Sequence, residues 1–156
     1  AATFVQPQFS AGTVKKRYLC RVLGHPDYSN GSAFESRALI SKHSLPAGAR
    51  VTGAEGQTAH TEFTMLATYD DGTSLVEARP ITGRTNQIRI HLWDLGFPIV
   101  GDPMYLRDRE VQPRQTLRPD EPGLCLHAYQ VRLLHPSTRT DVTYTAAAPS
   151  WGSLPA

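Results

Sequence analysis

Cysteine is scarce in this chain, and most of the patterns that would fix a function from a few residues are missing. Cys20 and Cys125 are the only two cysteines among 156 residues, far apart and outside any CxxC pattern. Neither a disulfide framework nor a cysteine-built zinc site follows from them. His91, His127 and His135 lack the helical i, i+4 or short-loop spacing of metal ligands, so no metal is expected. No G-x-S-x-G occurs, which removes the usual setting of a serine nucleophile. No apolar run approaches the ~18 residues of a membrane span, and Ala1-Ala2-Thr3-Phe4 offers no basic segment ahead of an apolar one, so neither membrane insertion nor a signal peptide is expected. The first residue is not methionine, which fits a processed or truncated chain.

The chain is 40% hydrophobic and 19% charged, the composition of a soluble globular protein, and its length suits one domain. Two free thiols suit a reducing cytosol, so a cytoplasmic location is expected. A net charge of +2 identifies no partner, but its local distribution is informative. Lys15, Lys16, Arg17 and Arg21 surround Tyr18, and Arg79, Arg84 and Arg89 recur with no acid between them. Cations interleaved with an aromatic suit a phosphate backbone and a stacked base.

Lys16 to Leu23 reads as a strand with Tyr18 and Cys20 on one face and Leu19 and Arg21 on the other. Residues 28–56, with Ser, Asn, Gly and Pro breaks around short apolar runs such as Ala38 to Ile40, suggest irregular structure with one short strand. Thr58 to Tyr69 and Ser74 to Arg79 flank Asp70-Asp71-Gly72-Thr73, a hairpin signal. Ile88, Leu92 and Leu95 recur at helical spacing with Gly96 and Pro98 behind them, which predicts a helix over 85–95. A long exposed loop is expected over 107–123, then strands over 124–134 and 141–146. Hairpins around one short helix indicate an α+β domain on a mixed, largely antiparallel sheet.

The most unusual segment is Thr82-Gly83-Arg84-Thr85-Asn86-Gln87-Ile88-Arg89-Ile90-His91-Leu92. Gly and Thr open a helix whose first turns are mostly polar. An opening helix presents unpaired N–H groups, and Arg84 and Arg89 add fixed cations, so the segment favours an anion.

This run, with Gly96-Phe97-Pro98-Ile99-Val100-Gly101-Asp102-Pro103-Met104-Tyr105 behind it, resembles the RluA-type RNA pseudouridine synthase signature TGRTHQIRVHL followed by G-x-P-I-x-G-D-x-x-Y. Gln8-Phe9 with Val14 to Leu19, Gly56 to Thr61, and Leu126-His127-Ala128 with His135-Pro136 resemble further blocks of that family, in its order. The resemblance implies the pseudouridine synthase fold, with the short helix beside the active-site cleft. It also implies isomerisation of uridine to pseudouridine in ribosomal or transfer RNA, with no cofactor. Tyr18 matches the tyrosine that stacks on the target base, and Arg89 the arginine that pairs with the catalytic carboxylate. RNA contacts are expected from Lys15, Lys16, Arg17, Arg84, Thr85, Asn86, Gln87 and His127.

Two departures from the family pattern stand out. Asn86 replaces its usual His, and the HRLDxxTSG string that carries the family's nucleophilic aspartate does not occur. Residues 1–156 are therefore expected to be the C-terminal part of a catalytic domain, inactive alone, with the remainder supplied from upstream. Asp102 is no substitute, because an aspartate in Gly-Asp-Pro belongs to an Asx turn. A non-catalytic RNA-binding domain derived from the same family is the alternative reading.

Overall fold

The computed structural model describes residues 1–45, 48–114 and 116–154. Its elements are α1 (Ala2–Ser10), β1 (Lys15–Leu23), β2 (Ala33–Ser36), β3 (Thr61–Thr68), β4 (Thr73–Pro80), α2 (Gln87–Asp94), β5 (Leu126–Leu134) and β6 (Asp141–Thr145). The strands form one sheet in the order β2-β3-β4-β1-β5-β6, and every pairing is antiparallel. The α+β architecture stands, with an entirely antiparallel sheet among the described residues where a mixed one was expected.

Alternation along β1 sorts the core. Cys20 and Val22 face α2 together with Phe63, Met65, Val76 and Ala78, and Ile88, Leu92 and Ile99 close that layer. Leu19 faces the other way, with Leu75, Ala67 and Trp151. A bulge between Met65 and Ala67 moves β3 from one layer to the other, because one extra residue reverses the side-chain alternation.

Helix α2 is buried more completely than its expected stripe. Ile88 and Leu92 pack on the sheet, while Ile90 and Trp93 enter a second cluster with Ile40, Ala49, Ala59, Met104 and Tyr105. Full burial of Ile90 and of Leu92 contributes about 1.5–3 kcal/mol each. The helix stops in a Schellman motif. Gly96 N donates to Trp93 O (3.0 Å), Phe97 N donates to Leu92 O (2.8 Å), and Gly96 takes φ +90°, which a side chain would resist.

Three local features refine the expected elements. The short strand lies at Ala33–Ser36, and Ile40 makes only isolated bridges to Thr52 and Gln57. Helix α1 has no buried residue and contains Pro7, so neither apolar spacing nor propensity announced it. A 3-10 turn at Arg107–Arg109 interrupts the expected loop. Residues 46, 47 and 115, within the stretches expected to be irregular, lie outside the described residues.

Candidate functional site

A cleft of about 240 Å³ opens between β1 and the start of α2. It is lined by Lys16, Tyr18, Pro80, Thr82, Gly83, Arg84, Asn86, Gln87, Ile88, Arg89 and Leu126. Among the described residues no carboxylate lines it. Tyr18 lies between Ala78 on β4 and Ala128 on β5, half-buried against the core and lining the cleft. Burial, and secondarily the neighbouring Cys20, push its phenol above the ordinary tyrosine value, so Tyr18 is neutral at physiological pH. Lys16 shares its face. A Cβ on Gly83 would sit 3.7 Å from Lys16 Nζ, which places the ammonium against the loop that leads into α2.

Arg84 is held at both ends. Its backbone N–H donates to Gln87 Oε1 (3.0 Å) and its Nε to Thr58 O (2.9 Å), leaving the two terminal nitrogens to face solvent or an anion. Asn86 takes the left-handed conformation at φ 57°, ψ 18° as N-cap of α2. Asn and His are among the few residues that tolerate it, which accounts for the exchange with the family's His. Its Oδ1 accepts from Arg89 Nη1 (3.1 Å).

Arg89 has a partner within this chain that the sequence did not reveal. Nε donates to Asp102 Oδ2 and Nη2 to Asp102 Oδ1, both at 2.7 Å. Arg89 is 13% exposed and the Asp102 side chain 0%. Asp102 Oδ1 also accepts from Met104 N (2.9 Å) and Tyr105 N (3.0 Å), the Asx turn expected of it. Three of the five guanidinium N–H groups are used here. The remaining two are free for a second acceptor.

Several residues expected to meet RNA sit elsewhere. Arg17 lies on the sheet's opposite face, where its Nη2 donates to Glu77 (3.1 Å). Exposed Lys15 shares that face by alternation. His127 pairs across strands with Leu19 and also faces away from the cleft, because only the even-numbered Leu126 turns towards it. Thr85 is exposed beside the cleft but outside its lining. Gln87 lines the cleft yet is 4% exposed. Its amide is fully engaged, accepting from Thr82 Oγ1 (2.7 Å) and Arg84 N and donating to His60 O and Thr61 Oγ1 (both 2.9 Å). In this conformation it braces the cleft wall. Lys16, Tyr18, Arg84, Asn86 and Arg89 converge. Thr82 and Gly83, also in the wall, lie in the same motif.

His91, fully buried, is uncharged in this setting. Ala38 O accepts from Nε2 (3.1 Å), and Nδ1 faces Thr61 Oγ1 (2.9 Å). Burial pushes its pKa below the ordinary value, with His60 adding to the effect and Asp94 and the Ala38 bond opposing it. Once the pH falls below ~6.5 the unfolded chain takes up a proton that the folded chain refuses. This part of the stability is complete above that pH. It is lost on acidification down to the folded pKa, by at most about 1.4 kcal/mol per pH unit. Urea unfolding of wild type and His91→Asn between pH 7.5 and 5 should show the steeper decline in wild type. Equal slopes would exclude His91 as the source.

No helix among the described residues is long and apolar enough to cross a membrane. Comparison with known proteins gives the family. The family model for RNA pseudouridylate synthase matches residues 1–93. The dual-specificity RNA pseudouridine synthase RluA of Escherichia coli K12 is 33% identical over 141 residues, covering 90% of this chain and 60% of the relative. That of Pasteurella multocida is 34% identical over 139 residues, covering 89% and 59%. The chain therefore spans about 60% of the length of these relatives. Human RNA pseudouridylate synthase domain containing 1 superposes with a TM-score of 0.71 at 29% identity, over 92% of this chain and 58% of that one. With a matching family model over residues 1–93 and a fold in agreement, this chain belongs to the RNA pseudouridylate synthase family.

Proposed function

We propose that this chain forms the base-binding and arginine-bearing wall of an enzyme that isomerises uridine to pseudouridine in ribosomal or transfer RNA. The observation that carries this reading is that Arg89, with two N–H groups to spare, lines one cleft with Tyr18, Lys16 and Arg84 and with no acid among the described residues. In the isomerisation the N1–C1′ bond breaks, the base turns, C5 bonds to C1′, the C5 proton leaves and N1 gains one. Atoms and charge balance with no oxidant or reductant. The neutral Tyr18 ring supplies a stacking face. Arg89, fixed by Asp102 and Asn86, offers its two spare N–H groups to an ionised carboxylate. That carboxylate is the nucleophile, proposed to come from a segment upstream of residue 1. Lys16 and Arg84 take the phosphates on either side of the flipped nucleotide. The site needs no cofactor for these steps.

The test is a titration of the chain with a uridine-containing single-stranded RNA at two salt concentrations. Affinity should fall with salt at a log–log slope of about −0.7 per phosphate neutralised. Binding that is absent, or that ignores salt, would sink the RNA reading.

A further inference from the structure

Behind the cleft wall runs a buried chain of hydrogen bonds whose direction is fixed at both ends by backbone groups. Ala38 O can only accept, so His91 Nε2 carries the proton and Nδ1 presents a lone pair. Thr61 Oγ1 therefore donates to His91 Nδ1 (2.9 Å) and accepts from Gln87 Nε2 (2.9 Å). At the other end Arg84 N–H can only donate, so Gln87 must turn Oε1 towards it (3.0 Å). The two ends agree on one amide orientation. Thr61 and His91 are fully buried and Gln87 nearly so, where a polar group left without its partner is destabilised by about 1–3 kcal/mol. Thr82 is tied into the same bracket: its hydroxyl donates to Gln87 Oε1 (2.7 Å) and accepts from His60 N (2.9 Å).

We propose that Thr61 and His91 are positioning residues, which act through Gln87 to fix the Thr82–Arg84 wall of the cleft and so the placement of the Arg84 guanidinium on RNA. Neither residue touches the cleft; their effect is transmitted. Gln87 stands one helical turn before His91, so both project onto Thr61 at the start of β3. The relay thereby joins the loop at Ala38, the start of β3 and the cleft wall into one polar unit. Protonation of His91 would turn Nδ1 into a donor and leave the Thr61 hydroxyl without its acceptor. The groups facing His91 are Thr61, Ala38 O, Asp94 and His60.

This inference rests on the RNA reading above, and a double-mutant cycle in RNA affinity and salt slope separates the two. Arg84→Ala should weaken binding about 3–10-fold, the loss of one charge-assisted contact, and reduce the salt slope by about 0.7. Thr61→Val keeps the side-chain shape and removes the hydroxyl. It should reproduce most of both effects, whereas Thr61→Ser, which restores the hydroxyl, should bind within about twofold of wild type. The double variant should bind like Arg84→Ala alone. Should Thr61→Val be unfolded at the assay temperature, Gln87→Met reads the same coupling. A merely structural residue would lower thermal stability and leave the salt slope alone. Salt-dependent wild-type binding with additive effects of Thr61→Val and Arg84→Ala would overturn the relay and leave the RNA reading standing. Absence of wild-type binding would overturn both.

Discussion

Arg89→Ala is expected to destabilise the fold by about 3–5 kcal/mol, the range for removing one partner of a buried ion pair. The Asp102 side chain has no solvent contact and takes two of its four hydrogen bonds from Arg89. With the guanidinium gone it retains Met104 N and Tyr105 N, which cannot replace the lost charge. Repacking gives no relief: Arg89 lies beside Tyr105, its guanidinium 5.1 Å from that ring, and truncation opens a gap there. Asp102→Asn should be milder, about 1–3 kcal/mol. An amide still accepts from the two backbone groups, and the stranded Arg89 can turn its free edge to the cleft. Urea unfolding of the two variants measures both numbers. A loss below about 1 kcal/mol for Arg89→Ala would show that Asp102 does not depend on it.

The pair explains what the sequence could and could not convey. Arg89 was legible as a site residue because the motif containing it is contiguous, and Asp102 as a turn because Gly-Asp-Pro is local chemistry. Their union was not legible. It depends on the chain doubling back after Gly96 so that residues 13 apart meet at right distance and angle. The hairpin at Asp70 to Thr73 and the stop at Gly96 were readable for the same local reason. Faces were harder. Lys15, Lys16 and Arg17 look like one basic patch in sequence, yet alternation sends Lys16 to the cleft and Arg17 to Glu77 on the reverse side. The face of His127 was hidden for a further reason: a bulge between Arg17 and Tyr18 in the β1–β5 pairing sets which residues of β5 oppose Tyr18. Gln87 reads as an exposed polar residue at a helix start, and only contacts with His60 and Thr61, 27 and 26 residues earlier, turn it inward.

The chain by itself should release no tritium from RNA carrying C5-tritiated uridine, because no residue lining the cleft can act as the nucleophile. Tyr18 is held as a neutral phenol by burial. Asp102, the carboxylate hydrogen-bonded to Arg89, is saturated by four hydrogen bonds and sealed from solvent. Turnover by the 156-residue chain, lost in Asp102→Asn, would reverse this assignment and make Asp102 the nucleophile. In a longer protein that includes an upstream segment with the nucleophilic aspartate, turnover should appear and Arg89 should govern its rate. Its remaining N–H edge would keep that carboxylate ionised in a partly dry cleft and stabilise charge that develops as the glycosidic bond breaks. Arg89→Lys is the informative variant, since an ammonium can keep a charge near Asp102 but cannot hold two carboxylates on two edges at once. Single-turnover rates should fall about 10²–10³-fold, the scale of one preorganised donor. RNA affinity, proposed to rest on Lys16 and Arg84, should change far less. A variant that stays folded and keeps near-normal rates would confine Arg89 to its partnership with Asp102 and take the carboxylate-binding role away from α2.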